Sequence, residues 1–481
     1  MTKHAGKAIS TRGAAPAART IQPSASGARR PTSPIRNTTP TKASKPDSAK
    51  PTRKTTRLLA AILNKATVRD LEAAINGDDK TNDICAALTA RKDGTLRDRL
   101  TRLMDDIDFV RDQKVPPAVG QASLPTAQEV AAARAGAAKG YVASVRTAIA
   151  KTRAYLGLVA QPEVVDSAFW RQFGAHYGNA LLQRQCGKPP EVVQTESLSS
   201  FKFMIRWDYF FSMIFQARGP FGAKATEIFG EAFRRIVSDE RIQYLEWAAY
   251  MLATASIETG DFRSLTEGPS SKPYAQKLTY MCADRQYERE LYGRGLIQLT
   301  GIPTSKTGPN LGAYGATSNA IFGAVKPGST LDVLRRSVAK DIIDPTCILV
   351  AHPELLVNNS EIAYEALVQG LLFGTLHASC EYDAASKTQR VGVDPRFLLK
   401  EYVKPLQEKV LVFIQDPDFG LLSPQWSSYV DARRIVNSQD RAQLIADRAC
   451  EYEMAFRHAL FQVPGTGTTR KVFKLTYGAL P

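Results

Sequence analysis

Two glutamates, Glu258 and Glu267, stand nine residues apart in the C-terminal half of this 481-residue chain. Glycoside hydrolysis needs such a pair of carboxyl groups: one protonates the leaving oxygen and the other activates water, about 6.5–9.5 Å away in inverting enzymes. Two glutamates at this spacing also occur by chance in most proteins. The alternative is therefore an exposed Glu267 and a Glu258 that pairs with an arginine in the core.

The residues before Glu258 predict the helix that positions this side chain. Apolar residues recur at the three- and four-residue spacing of one helix stripe: Leu245, Ala248, Met251, Leu252 and Ala255. Glu258 extends this stripe, and Gly260 offers a helix C-terminus. Burial and the negative end of the helix dipole both disfavour a charged carboxylate there. We therefore expect Glu258 to hold a proton as a general acid, and Glu267, in a wetter loop, to stay ionised as the base.

Five separated motifs between residues 208 and 460 surround this pair. They are, in order, Phe210–Phe221; Ala249–Gly260 with Glu267; Tyr292–Thr300, which reads Tyr-Gly-Arg-Gly-Leu-Ile-Gln-Leu-Thr; Leu349–Leu356 with Ala363–Phe373; and Asp431–Asn437 with Asp440-Arg441 and Ile445-Ala446. This series resembles glycoside hydrolase family 19, which includes chitinases and phage or bacterial lysozyme-like endolysins. The resemblance implies a mainly α, lysozyme-like bilobal fold with a sugar cleft, and an inverting mechanism without metal or cofactor.

The resemblance also implies roles for individual residues. Glu258 matches the general acid and Glu267 the general base. The expected substrate-binding residues line the same cleft or its carboxylate network: Tyr292, Arg294, Gln298, Thr300, Arg434 and Asn437. Among them, Thr300 would help to hold the attacking water. Arg294 has the alternative role of a structural ion-pair partner.

The chain departs from the family pattern at several positions. Ile257 stands where the family usually has histidine, and Thr304-Ser305 stand where it usually has Asn-Tyr. A stretch rich in Gly, Ser and Thr occupies roughly residues 306–346 as an insertion. The replaced Asn is a substrate or water contact in relatives, so these departures affect substrate affinity or linkage preference. Both carboxylates remain, and activity is expected.

Peptidoglycan is the expected substrate and chitin the alternative, because both polymers are β-1,4-linked and contain N-acetylglucosamine. The Leu-Val-x-x-Pro-Glu-Leu and Ala-Arg-Arg-Ile-Val-Asn segments resemble the phage and bacterial branch. Such a lysozyme-like enzyme would serve as an endolysin, a virion lysin or a bacterial effector. Two alternatives belong to other classes: a structural or wall-binding protein on a weakened hydrolase fold, and a protein that packages nucleic acid through a basic tail.

Composition and periodicity divide the chain into five expected segments: a disordered basic tail (1–57), a helical region (58–158), a connection (159–207), the lysozyme-like hydrolase domain (208–462) and a C-terminal tail (463–481). From Met1 to Leu58 there are thirteen Lys or Arg and one acid, so 13 − 1 = +12 of the net charge of +16 lies there. This tail cannot bury enough apolar surface to offset its chain entropy. It would favour anionic cell-wall polymers or nucleic acid. Residues 126–158 are predicted to form one long helix.

The cysteines and the hydropathy bear on where the protein is made. The six cysteines are widely spaced, which argues against a disulfide framework or a zinc knuckle and favours a reducing compartment. Apolar runs are too short for a transmembrane helix, and the N-terminus lacks the apolar core of a secretory signal peptide. We therefore expect synthesis in the cytoplasm and action on the cell wall after lysis, virion delivery or specialised secretion.

Overall fold

A computed structural model describes the chain in separate stretches. These are residues 66–76, 95–114, 122–139, 143–158, 160–186, 193–196, 202–205, 207–267, 278–282, 285–300, 311–383, 388–404, 426–436 and 441–462. The predicted basic tail, the predicted C-terminal tail, the Thr304-Ser305 departure and Asn437 lie outside the described residues.

The described part of the chain is mainly helical, as the sequence predicts. Its helices are α1 (Ala66–Asn76), α2 (Thr95–Asp112), α3 (Ala127–Lys139), α4 (Ala143–Tyr155), α5 (Ser167–Cys186), α6 (Trp207–Arg218), α7 (Ala223–Ser238), α8 (Leu245–Glu258), α9 (Gly312–Phe322), α10 (Thr330–Val338), α11 (Ile348–Ala351), α12 (Leu355–Asn358), α13 (Ser360–Leu372), α14 (Leu399–Tyr402), α15 (Trp426–Ala432) and α16 (Ala442–Ala459). Short 3₁₀ turns occupy Pro345–Cys347, Thr375–His377, Pro395–Phe397 and Arg433–Ile435. None of the helices among these residues is long and apolar enough to cross a bilayer.

The strands of the described residues are short and form small antiparallel sheets. They are β1 (Val193–Glu196), β2 (Lys202–Ile205), β3 (Leu278–Cys282), β4 (Arg285–Arg289), β5 (Ser379–Asp383), β6 (Thr388–Gly392) and β7 (Leu460–Gln462). β2 lies between β1 and β7, while β3 pairs with β4 and β5 with β6. The sheets are peripheral to a core that helices dominate.

The N-terminal helices share one core with the helices that follow residue 207. All described residues belong to one compact unit. One link is Asp106 on α2, which is fully buried. Its carboxylate accepts hydrogen bonds from the backbone N–H of Phe221 at 2.7 Å and of Gly222 at 2.8 Å, where α7 begins. The predicted helical region is thereby bonded to the segment that carries the family resemblance.

The segment predicted as a connection, 159–207, contains the 20-residue helix α5. The ring centroid of Tyr177 on α5 lies 4.7 Å from the ring centroid of Phe215 on α6. Gly174 permits the close approach, since a Cβ there would lie 2.6 Å from the carbonyl oxygen of Phe211. Apolar and polar residues are mixed around α5 without one apolar stripe, so periodicity does not reveal it.

The helical predictions for the N-terminal region are confirmed in part. Val68, Leu71 and Ile75 are buried on α1, and Leu100 and Leu103 on α2, as their spacing predicts. The prediction of one long helix over 126–158 is wrong, because α3 ends at Lys139 and α4 starts at Ala143, with the two helices packed together. Gly140 stands between them, and glycine is about 1 kcal/mol less favourable than alanine inside a helix.

Helix α8 ends at Glu258, as predicted, but it does not have a single apolar stripe. Every residue from Ala248 to Ile257 is buried. The helix is surrounded by α7, α13 and α16, so all of its faces contribute to the core. Helix α8 is therefore buried because it lies in the centre of the core. Glu258, its last residue, is partly exposed.

The predicted insertion over 306–346 contributes to the core within its described part. α9 buries Tyr314 and Phe322 completely.

Cys282 at the end of β3 forms a disulfide with Cys347, across 5.6 Å between Cα atoms. The wide spacing of the cysteines, which argued against a disulfide framework, therefore did not predict this bond. The two are 65 residues apart in sequence, and spacing did not reveal that the fold brings them together.

Candidate active site

Glu258 lies in the last turn of α8 against the guanidinium of Arg433. Nη1 of Arg433 donates a charge-assisted hydrogen bond to Oε1 of Glu258. The Arg433 side chain is 2% exposed and that of Glu258 is 14% exposed. Pairing with an arginine in the core was the alternative to a catalytic role, and the structure shows this pairing, while the carboxyl group keeps access to solvent. A buried cation that holds a partly exposed carboxylate fixes its orientation.

The loop after Glu258 turns back through an unusual backbone conformation. Gly260, Asp261 and Phe262 have φ values of 59°, 64° and 61°, all in the left-handed region that glycine favours. Strain at Asp261 and Phe262 must be held by surrounding contacts. Phe262 N–H donates to Oγ1 of Thr259 at 2.9 Å, which supports the turn.

Asp261 anchors this turn through two arginines. Its Oδ1 accepts hydrogen bonds from Arg218 at 2.5 Å and Arg448 at 2.8 Å, and from Oγ of Ser256 at 2.9 Å. Burial opposes ionisation, but Arg218 and Arg448 outweigh it and lower the pKa of Asp261 well below its usual range. The loop between the two glutamates is thus tied to α6, α8 and α16 by a permanent anion.

Glu267 lies at the far end of this loop beside the Tyr292–Thr300 segment. Its backbone N–H donates to the carbonyl of Gly293 at 2.9 Å. A Cβ at residue 293 would lie 3.0 Å from Oε2 of Glu267 and 2.8 Å from Oε1 of Gln298. The absence of a side chain at Gly293 therefore makes room for a carboxylate and an amide together, and both belong to the predicted site.

Gln298 has a left-handed backbone conformation, with φ of 50°. Its Nε2 donates to the carbonyl of Gly295 at 2.8 Å, and its own carbonyl accepts from Oγ1 of Thr300 at 2.9 Å. A non-glycine residue in this conformation costs free energy and persists only where surrounding contacts hold it. The hydrogen bonds from both ends hold the Gln298 amide and the Thr300 hydroxyl in one turn.

Tyr292 and Arg294 form a stacked pair that supports this segment. The Arg294 guanidinium carbon lies 3.6 Å from the centroid of the Tyr292 ring. Nη1 of Arg294 donates to the carbonyl of Glu290 at 2.7 Å, and the side chain is buried. Arg294 also pairs through its backbone with Thr266, next to Glu267. These contacts favour a supporting role for Arg294, while the half-buried Tyr292 keeps one part accessible.

Arg434 lies beside the site residue that sequence reasoning missed. Its side chain is 54% exposed and pairs with Asp431 at 3.7 Å, and its carbonyl accepts from Nε2 of His377 at 2.8 Å. Arg433, one position earlier, makes the contact with Glu258. Neighbouring residues in a helical turn point in different directions, so only one of this pair can face α8. The Arg433-Arg434 sequence predicts a positively charged side chain near α8, but it does not indicate which of the two arginines faces Glu258.

Comparison with known proteins returns no matching family model, no matching curated protein and no matching solved structure. The resemblance to glycoside hydrolase family 19 therefore rests on the sequence motifs alone.

Replacing Gly293 with alanine is expected to slow the glycan cleavage that the family resemblance implies by about tenfold or more, while the fold is retained. The φ of Gly293 is not in the left-handed region, so alanine fits the backbone, but the added methyl would displace the Glu267 carboxylate and the Gln298 amide. The measurement is the rate of cell-wall lysis together with the unfolding temperature. Unchanged lysis by a folded Gly293→Ala protein would show that the close approach of Glu267 and Gln298 beside residue 293 is not required.

Replacing Arg433 with lysine is expected to lower activity by about tenfold to a hundredfold. Lysine keeps the charge but loses the planar fork that orients a carboxylate. Arg235→Lys is the matched control, since it changes in the same way a half-buried arginine that pairs with Glu231 on α7 and has no role in the site. The lysis rates of the two variants are compared: if Arg235→Lys slows lysis as much as Arg433→Lys does, the assignment of Arg433 is wrong.

Proposed function

We propose that this chain is a glycoside hydrolase that cleaves the β-1,4 glycan backbone of peptidoglycan by an inverting mechanism. The observation that carries the proposal is the loop from Glu258 to Glu267. It starts at the Glu258 carboxyl group, which is hydrogen-bonded to a buried arginine, and ends at the Glu267 carboxyl group beside the Gln298 amide. A lysozyme-like bilobal fold, with this loop on one wall of a sugar cleft, is part of the proposal.

In the proposed reaction Glu258 gives its proton to the glycosidic oxygen as the bond to the anomeric carbon breaks. Arg433 then stabilises the carboxylate that remains, which lowers the cost of this step. Glu267 removes a proton from a water molecule that attacks the opposite face of the sugar. Gln298 and Thr300 line the cleft near this water, and Tyr292 and Arg434 extend the surface that contacts sugar.

The anchored turn supports this division of roles. General acid catalysis requires the donor and the base to keep a fixed separation on opposite sides of the scissile bond. The Asp261 ion pairs and the strained backbone restrict the loop that sets this separation. Loss of rigidity in this loop would lower the rate even with both glutamates present.

Chitin remains the alternative substrate, because it shares the β-1,4 linkage and N-acetylglucosamine. A wall-binding protein with weakened catalysis is the alternative of another class, and the Ile257 departure next to Glu258 motivates it. Under the leading proposal the protein acts on the wall after lysis, virion delivery or specialised secretion. Its basic tail, in which thirteen Lys or Arg stand against one acid, would hold it on anionic polymers.

The test is digestion of purified cell walls and of chitin side by side, followed by mass analysis of the products. Muropeptide fragments with a new reducing end, from walls only, are expected. If only chitin oligomers are released, chitin and not peptidoglycan is the substrate. Binding to walls without any fragment, by a folded protein, would favour the structural alternative.

A further inference from the structure

A cavity of about 140 Å³, whose lining includes neither Glu258 nor Glu267, lies where four segments meet. Its charged lining residues are Arg99, Arg102, Arg218, Asp261, Arg263 and Arg448. They come from α2, the end of α6, the loop after α8, and α16. We call it the arginine cavity. Five cations and one anion therefore line a space that is partly closed from solvent.

Arginines outnumber carboxylates in the lining of the arginine cavity by five to one. Asp261 pairs with Arg218 and Arg448. Two carboxylates outside the lining also pair with these arginines: Asp98 with Arg102 and, at 3.5 Å, with Arg263, and Glu451 with Arg448 at 3.2 Å. An excess of guanidinium groups in a partly buried space favours an anionic ligand.

The arginines are held in place before any ligand arrives. The Arg218 and Arg448 side chains are 8% and 11% exposed. Gly222 lets the Arg102 stem pack against the backbone, since a Cβ there would lie 2.5 Å from Cγ of Arg102. Nε of Arg263 donates to the carbonyl of Gly260 at 2.6 Å. Preorganised groups bind a ligand with little loss of side-chain entropy.

Backbone amides do not supply the recognition in this cavity. The N–H groups of Phe221 and Gly222, at the start of α7, already donate to the Asp106 carboxylate. Recognition therefore depends on guanidinium groups, which match phosphate and carboxylate oxygens with paired hydrogen bonds. A planar carboxylate, Asp261, already accepts hydrogen bonds from two of these guanidinium groups. Donors that approach from four segments suit a tetrahedral anion, whose oxygens point in several directions.

We propose that the arginine cavity binds one phosphate group. Its volume of about 140 Å³ is well below that of pockets for drug-sized ligands, about 300–1,000 Å³, so it accommodates a single small anionic group and not a glycan segment. The phosphate is either free inorganic phosphate or a phosphate ester on a polymer. This site is distinct from the glutamate pair, and its occupation does not depend on glycan cleavage.

Calorimetric titration of the full-length protein with inorganic phosphate at low ionic strength tests the proposal. One saturable site is expected, with at least tenfold weaker binding for Arg99→Gln/Arg102→Gln. The control is Arg234→Gln/Arg235→Gln, which removes two arginines that pair with Glu231 on α7 and should leave the affinity unchanged. Because all proteins keep the basic tail, its background binding cancels in this comparison.

Further arms identify the ligand and protect the test against misfolding. Glycerol phosphate that binds more tightly than inorganic phosphate assigns a polymer-borne ester, and the reverse assigns the free anion. If the double variant unfolds, Arg263→Gln replaces it, since that side chain is 49% exposed; the same weakening is expected. Absence of a saturable site, equal affinity in pocket and control variants, or acetate binding as tightly as phosphate would overturn the proposal. Each outcome is independent of whether the protein cleaves glycans.

Discussion

Replacing Glu258 with glutamine is expected to lower the rate of glycan cleavage by about 10²–10⁴, the usual contribution of general acid–base catalysis. Glutamine has nearly the same size and its side-chain oxygen can still accept the hydrogen bond from Arg433. It has no acidic proton to give to the leaving oxygen. The variant should therefore fold and bind walls but fail to clear them, as measured by turbidity loss of a cell-wall suspension.

The matched control is Glu227→Gln, which makes the same chemical change on an exposed position of α7. It should retain the wild-type rate of lysis. Two results would contradict the account. One is near-normal lysis by Glu258→Gln. The other is equal failure of wild type and variant while both still bind walls, which would favour the structural alternative.

The contribution of Asp106 to stability is expected to fall as the pH rises from about 4 to 8. Full burial raises the pKa of this carboxyl to about 8, although the N–H groups of Gly222 and Phe221 lower it. In the unfolded chain the carboxyl ionises near pH 3.9. Between these values this group binds more protons in the folded state than in the unfolded state, so rising pH favours unfolding through Asp106. The part of the free energy of unfolding that comes from Asp106 should decrease by about 1 kcal/mol per pH unit in this window and level off above it.

Comparison of the wild type with Asp106→Asn isolates this effect. Asparagine cannot ionise, so the variant lacks the Asp106 contribution while other titrating groups remain. The measurement is the free energy of unfolding in denaturant at several pH values from 4.5 to 9. The difference between the two proteins should shift in favour of the variant by several kcal/mol as the pH rises. Parallel curves for the two proteins would show that Asp106 keeps the same protonation in the folded and unfolded states.

The position of Glu258 at the end of α8 was predictable because the apolar spacing and the glycine that ends the helix are both local features of the sequence. Apolar residues run through α8, and Thr259-Gly260 end it, so the last helical residue follows from sequence. The complete burial of α8 was not predictable, because it depends on the distant helices α7, α13 and α16. The proximity of Glu267 and Gln298 follows only from Gly293 and the turn at Gln298, in which a non-glycine residue has a left-handed conformation.

The features that sequence reasoning missed all depend on long-range contacts. Arg433 reaches Glu258 across 175 residues of sequence, and Asp106 reaches Gly222 across 116. The Cys282–Cys347 disulfide likewise needs the fold to bring its residues together. Helix α5 escaped notice because helical periodicity weakens when a helix is packed on several sides. Composition and local spacing contain little information about such pairings.

The most direct test of the central claim is proton NMR of the sugar anomer released from a soluble β-1,4-linked glycan substrate during the first minutes of cleavage. Inversion by Glu258 and Glu267 predicts that the α-anomer forms first and then converts to the equilibrium mixture by mutarotation. Initial release of the β-anomer would show retention and contradict the assigned roles. No released anomer from either peptidoglycan or chitin fragments, with the protein folded, would contradict the hydrolase proposal itself.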